Sequence, residues 1–245
     1  MNRVNVFWTA GLDSTCRIVE LSSTPGYEIQ PYYIFDKSRR SGSIELGRIR
    51  EMTALIRSNP ATKSVLNDLI VVNIGDIVIP KEISDTYRII RRRYALGSQY
   101  EWISAFLNNE GIVVQVAAES PRVGINAAIN GECRLRVQGD GEMDKVLRID
   151  PAESTEEGRL LFSNYAIPYH IWTIYKQDEA EEINALGYGD VFKLTWFCHR
   201  PVFGMPCGHC NPCKDAKRDG FGWRIPLAGR LLYPFARLFR HVFRH

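Results

Sequence analysis

The stretch VFWTAGLDSTC, residues 6–16, sets the reading of this 245-residue chain. Just upstream, Val4-Asn5-Val6-Phe7-Trp8 is short, apolar and rich in β-branched and aromatic side chains, which predicts a buried strand. Downstream, Cys16, Ile18, Val19 and Leu21 recur at helical spacing, with Asp13, Ser14 or Thr15 as N-cap. Between the two lies a tight turn of small residues around Gly11. Such a turn presents backbone N–H groups and hydroxyls at a helix N-terminus, where an anion is stabilised. An ordinary strand–turn–helix connection has the same pattern.

Further along, residues 29–35 read as a second strand ending at Asp36, and a basic loop leads to a helix over 44–58. LIVVNI, residues 69–74, is a third strand with Asp76 just after it. The spacing of Tyr100, Trp102, Ile103, Phe106 and Leu107 predicts a helix over 94–109. IVVQVAA, residues 112–118, is a fourth strand ending at Glu119. Apolar strands alternating with helices imply an α/β, Rossmann-like fold with a parallel sheet and right-handed crossovers. Ligands bind such sheets beyond the carboxyl ends of the strands, where the turn after Trp8, Asp36, Asp76 and Glu119 all fall. Residues 120–160, with five glycines, read as loops around short elements; 176–186 reads as a helix and 194–197 as a short strand.

Composition bounds the partners. Hydrophobic content of 45% and charged content of 24% are those of a globular domain. No apolar run approaches a membrane span and no signal pattern opens the chain, so a cytoplasmic protein is expected. A net charge of +3 is too small to imply nucleic-acid binding by itself. The basic residues are uneven, however: Arg91-Arg92-Arg93 is one cluster, and residues 221–245 hold five arginines and no acid.

Four of the six cysteines fall within CHRPVFGMPCGHCNPC. Cys198, Cys207, Cys210 and Cys213 are separated by eight, two and two residues, a spacing that brings four thiolates to one ion. Zinc with four sulfurs is the natural occupant, and a closed shell of that kind is structural. An iron–sulfur cluster or four free thiols are the alternatives, and His199 and His209 are substitute ligands.

Taken together, the two ends carry a resemblance. TAGLDST resembles the Ser-Gly-Gly-x-Asp-Ser pyrophosphate loop of the PP-loop ATP pyrophosphatases, and the cysteine spacing is similar to that of the 7-cyano-7-deazaguanine synthase (QueC) family. IFDKSRRSGSIELGRIREM, IPYHIWTIYKQDEAEEI and LTWFCH resemble intervening segments of that family, and the likeness covers about two-thirds of the chain. It implies an α/β ATP-binding domain over 1–190 (the adenine nucleotide alpha hydrolase type), a zinc-binding subdomain over 191–220 and a basic amphipathic tail over 221–245. It also implies ATP-dependent adenylation of 7-carboxy-7-deazaguanine, followed by attack of ammonia and dehydration to the nitrile.

The same resemblance assigns Thr9, Ala10, Gly11, Leu12, Asp13, Ser14 and Thr15 to the pyrophosphate and Asp36 to the nucleotide. Asp13 positions magnesium or caps the helix; Lys176 neutralises phosphate or is a solvated lysine; Asp36 is otherwise a turn residue. Glu119 binds the guanine-like edge or is a solvated strand end.

Three departures stand out. Thr9-Ala10-Gly11 replaces Ser-Gly-Gly, and alanine there needs a backbone conformation natural to glycine. Leu96-Gly97-Ser98-Gln99 replaces Pro-Gly-Arg-Asn, and Glu119-Ser120-Pro121 replaces a Glu-Thr-Asp segment. Nucleotide handling is thus expected to be kept, and recognition of the second substrate or amine to differ. The tail places Leu227, Leu231, Phe235, Leu238 and Val242 on one helical face, with Pro234 as a kink. It suits a partner protein, a membrane surface, nucleic acid, a second copy, or the chain's own domain.

Three functions follow. The first is a ligase that joins the activated base to ammonia or to a protein amine, as in QueC-like proteins of antiviral defence operons such as type IV CBASS. The second is tRNA modification, which lacks a relay cysteine pair here. The third is a nucleotide-binding interaction protein without catalysis.

Overall fold

The structure, a computed structural model, describes residues 1–117, 124–141 and 143–242, the last six as backbone. β1 (Asn2–Phe7) lies inside an eight-stranded sheet. Side-chain alternation there feeds both layers: Val4, Val6 and Trp8 enter one core and Phe7 the other. α1 (Leu12–Ser23) leads to β2 (Tyr27–Phe35), parallel to β1. α2 (Gly42–Ser58) leads to β3 (Val65–Leu66) and β4 (Ile70–Asn73), both parallel to β2. α3 (Lys81–Tyr94) and α4 (Gln99–Glu110) then return the chain to β5 (Val114–Gln115), on the other side of β1. Sheet growth reverses direction at that point. The carboxyl end of β1 is therefore the switch point at which open α/β sheets form their crevice.

α5 (Ile125–Glu132), β6 (Arg134–Gln138), β7 (Val146–Asp150) and α6 (Glu156–Phe162) come before β8 (Tyr165–Pro168), which is parallel to β5. β7 runs antiparallel to β8, and β6 antiparallel to β7. The sheet, in order β3-β2-β1-β5-β8-β7-β6 with β4 also on β2, is mostly parallel rather than wholly so. α7 (Tyr169–Thr173), α8 (Lys176–Ala185) and α9 (Gly189–Leu194) follow, then α10 (Asn211–Arg218) and α11 (Leu227–Val242). α1, α2, α8 and α9 pack one face of the sheet, and α3 to α6 the other.

Several expected elements change. The helix expected over 94–109 is split: α3 ends at Tyr94, Ala95 turns left-handed at φ 54°, and α4 starts at Gln99. α3 buries only Ile83, Tyr87 and Ile90 among many charges, so its stripe is narrow. The strand expected over 194–197 is instead the end of α9 followed by extended chain outside the sheet. Of residues 112–118 only Val114–Gln115 pair as strand. The 120–160 stretch, read as loops around short elements, has helix Ile125–Glu132, strands Arg134–Gln138 and Val146–Asp150, and the start of helix Glu156–Phe162 as those elements.

α11 continues through Pro234 and packs on the cysteine lobe through a face other than the apolar stripe. At Gly229 a Cβ would lie 2.2 Å from the Pro206 carbonyl oxygen, so helix and lobe touch backbone to backbone. Tyr233 is buried there and stacks on His209, ring centroids 4.7 Å apart. Leu227, Leu231 and Phe235 are 67%, 60% and 62% exposed, so the stripe seen in the sequence faces outward. No helix among the described residues is long and apolar enough to cross a membrane.

Candidate functional site

The loop after β1 is held by its own hydroxyls. Ser14 Oγ accepts from the Thr9 N–H at 3.3 Å, lies 3.4 Å from Thr9 Oγ1 and donates to the Gly11 carbonyl at 3.3 Å. Gly11 is the N-cap of α1, and the first helical bond runs from Thr15 N to Gly11 O at 3.0 Å. The N–H groups of Leu12, Asp13 and Ser14 precede that bond and have no partner within the helix. A Cβ on Gly11 would sit 3.3 Å from Thr9 Oγ1, so the turn is tight.

Ala10 is fully buried at φ 59°, the left-handed region expected from its place in the motif. Its carbonyl accepts from the Trp196 N–H at 2.7 Å. Thr15 faces inward: its hydroxyl accepts from Trp8 Nε1 at 3.0 Å and lies 4.0 Å from Met52 Sδ. That side chain anchors the loop to the core, so its hydroxyl does not face the cleft.

Asp13 and Lys176, 163 residues apart, form an ion pair at the mouth of a cleft of about 520 Å³. Glu179 Oε2 lies 3.6 Å from the same lysine. Burial holds Lys176 below the ordinary lysine value, against the pull of Glu179. Thr9, Gly11 and Leu12 line the cleft on one side, and Trp196, His199 and Arg224 on the other. A volume of that size is in the range of sites for a nucleotide-sized ligand.

Asp36 does not join them. Its carboxylate accepts from the Ser38 N–H at 2.8 Å, closing the turn after β2. Glu119 lies outside the described residues.

Other cleft residues carried no sequence signal. Arg39 pairs with Glu45 at 3.1 Å, and Glu45 accepts from the Tyr33 hydroxyl at 2.8 Å. Burial, with Arg39 nearby, holds His199 below the ordinary histidine value, which favours the neutral ring. The Arg224 guanidinium packs 5.1 Å from the Phe192 ring centre and 5.4 Å from that of Phe197, and donates to the Thr195 carbonyl. Burial, with a contribution from Arg48, lowers it to about 10.

The four expected cysteines do meet. All four sulfurs lie within 4.8 Å of one another and all four residues are buried. Separations of 3.9 Å (Cys207–Cys213), 3.8 Å (Cys198–Cys210) and 3.4 Å (Cys210–Cys213) are shown. Zinc–sulfur bonds of about 2.3 Å in a tetrahedron place sulfurs about 3.8 Å apart, so the lobe fits a single metal ion such as zinc. The N–H groups of Cys207, His209 and Cys210 point at Cys198 or Cys207 sulfur at 3.2–3.4 Å, as they would toward thiolates. His209 is engaged by Arg230 O and Tyr233 instead, so the thiols form the donor set.

Neither a family model nor a curated protein matches the chain.

Proposed function

We propose that the chain is a PP-loop, ATP-dependent carbon–nitrogen ligase of the QueC type, which adenylates 7-carboxy-7-deazaguanine and joins it to an amine as an amide. One observation carries this reading: the Asp13–Lys176 pair stands at a hydroxyl-bearing helix N-terminus on the sheet's switch point, inside a nucleotide-sized cleft. A carboxylate is a poor electrophile because its leaving oxide is so basic. Its oxygen attacks the α-phosphorus of ATP, and the bond to the bridging oxygen breaks to release pyrophosphate. The amine then attacks the acyl carbon, AMP leaves with the bonding pair, and the amine proton passes to solvent.

This chain's residues suit those steps. N–H groups of residues 12–14 with the Thr9 and Ser14 hydroxyls would hold the departing pyrophosphate. Lys176 would exchange Asp13 for phosphate oxygens and neutralise their charge. Asp13 is the carboxylate that would then hold a magnesium ion accompanying ATP. Zinc in the closed cysteine shell is structural, and its lobe supplies one wall of the cleft.

A protein amine is favoured over ammonia by one feature. Leu227, Leu231 and Phe235 present an exposed apolar face on a segment rich in arginine, suited to docking the protein that carries the amine. Capture by a protein amine is what the resemblance to the antiviral-defence branch implies. Mass spectrometry of products from ATP, 7-carboxy-7-deazaguanine and either ammonia or co-expressed neighbouring proteins tests the reading. AMP, pyrophosphate and an amide adduct are expected. Efficient conversion of the free base to nitrile, indifferent to removal of 225–245, points instead to the biosynthetic enzyme. Nucleotide binding with no turnover points to an interaction protein.

A further inference from the structure

Below the cleft, α1 and α8 meet along a polar seam. Asp13, Cys16 and Glu20 recur at helical spacing on α1 and meet Lys176, Glu179 and Glu182 of α8. The Cys16 sulfur and one carboxylate oxygen each from Glu20 and Glu182 lie within 4.8 Å of one another. His170 of α7 brings Nε2 to 2.8 Å from Glu182 Oε2 and 3.8 Å from Glu20 Oε1.

The charges of this seam do not balance. Asp13, Glu20, Glu179 and Glu182 are four carboxylates, against the permanent cations Arg17 and Lys176 and the titratable His170, so an excess of negative charge remains even with His170 protonated. Arg17 is already saturated: it donates to Gln115 at 2.7 Å, Glu20 Oε2 at 2.9 Å and the Met143 carbonyl at 2.8 Å. Glu20 Oε1 is left without a hydrogen-bond partner on a side chain that is 0% exposed. Buried anions in excess are costly, and such groups normally gain a proton or a cation. Burial accordingly pushes Glu20 up to about 7 despite Arg17.

We propose that Cys16, Glu20 and Glu182 form a second zinc site, separate from the four-cysteine lobe, with Glu182 oriented by His170. One sulfur and two carboxylate oxygens, with a fourth position left to water, are a zinc donor set, and a thiolate disfavours magnesium or calcium. Binding releases the Cys16 thiol proton to solvent as the sulfur–metal bond forms. The ion replaces the missing positive charge and bolts α1 to α8, the helices that carry Asp13 and Lys176 at the cleft. The inference is independent of which reaction the cleft performs.

The test is metal content of the full chain after saturation with zinc and gel filtration. Two zinc ions per chain are expected, falling to one in Glu182→Gln and towards one in His170→Gln, which loses the contact that orients Glu182. Both positions are partly exposed, so these variants should remain folded by circular dichroism. Cobalt substitution gives a second readout: the thiolate-to-cobalt absorption of the four-cysteine site should persist in Glu182→Gln while a weaker d–d component disappears. A wild-type content of one zinc, equal to that of both variants, overturns the proposal. So does a second zinc that both variants retain.

Discussion

The Trp196 backbone N–H donates to the Ala10 carbonyl at 2.7 Å, tying the segment before the first cysteine to the strained residue of the loop after β1. Two further bonds fix that segment. Trp196 Nε1 donates to the Cys198 carbonyl at 2.7 Å, and Arg224 donates to the Thr195 carbonyl. The four-cysteine lobe and the loop after β1 are thus joined through residues 195–198.

Loss of the metal should therefore reach the loop. Cys210→Ser, or chelation of the wild type, should remove zinc from the lobe and lower the melting temperature by several degrees, because metal binding is part of the folding free energy. ATP binding should weaken about tenfold, the equivalent of ~1.4 kcal/mol. Metal analysis, thermal melts and calorimetric titration with ATP read these effects. Unchanged ATP affinity in the zinc-free protein would separate lobe from loop.

Ala10 gives a test of backbone strain. A left-handed alanine costs about 1–2 kcal/mol, and glycine removes that cost while losing up to about 1 kcal/mol through the unfolded chain. Ala10→Gly should therefore lie within about 1 kcal/mol of wild type, on the stabilising side. Ala10→Val adds a β-branch at φ 59° and two methyl groups at a fully buried site, and should cost about 3 kcal/mol. Urea denaturation midpoints measure both.

Ser14 and Thr15 are neighbours with opposite expectations. Ser14→Ala removes a hydroxyl from the loop beside the cleft and should cut ATP consumption about 100-fold, the usual effect of losing one such donor, at a stability cost of about 1 kcal/mol for the Thr9 N–H left unpaired. Thr15→Val leaves Trp8 Nε1 unsatisfied in the core and should cost about 1–3 kcal/mol of stability. ATP consumption should fall less in Thr15→Val than in Ser14→Ala. The reverse ranking would place the anion on Thr15.

On α11 the two faces should separate stability from transfer. Tyr233→Ala empties a buried stacking position and should cost about 3 kcal/mol, at the low end for a large aromatic. Leu231→Asp changes a side chain that is 60% exposed, so the melting temperature should hold. Transfer of the base to a protein amine should fall in Leu231→Asp while pyrophosphate release continues. Equal loss of both activities would make the face part of the adenylation site.

The local patterns were legible because they depend on neighbours in the chain. Val4 to Trp8, the turn at Gly11 and the apolar positions of α1 follow from strand and helix periods. The cysteine spacing pointed to four thiols around one centre, where the four sulfurs do meet, because the two Cys-x-x-Cys steps are local in the chain. Lys176 was legible as the start of a helix; its pairing with Asp13 was not foreseen.

Tertiary structure decided the rest. β6 is mostly exposed and β7 mostly buried, so neither shows a clean alternation, and the antiparallel pairing of β7 with β8 is set by tertiary packing. Asp36 turned to its own backbone and Thr15 to Trp8, because a strand end or first helical turn can aim a side chain either way until packing chooses. α11 presents Leu227, Leu231 and Phe235 outward while Gly229 and Tyr233 face the cysteine lobe, a choice of face that no periodicity encodes. Composition and spacing determined which groups the chain could bring to a site; the direction each group faces was settled by packing.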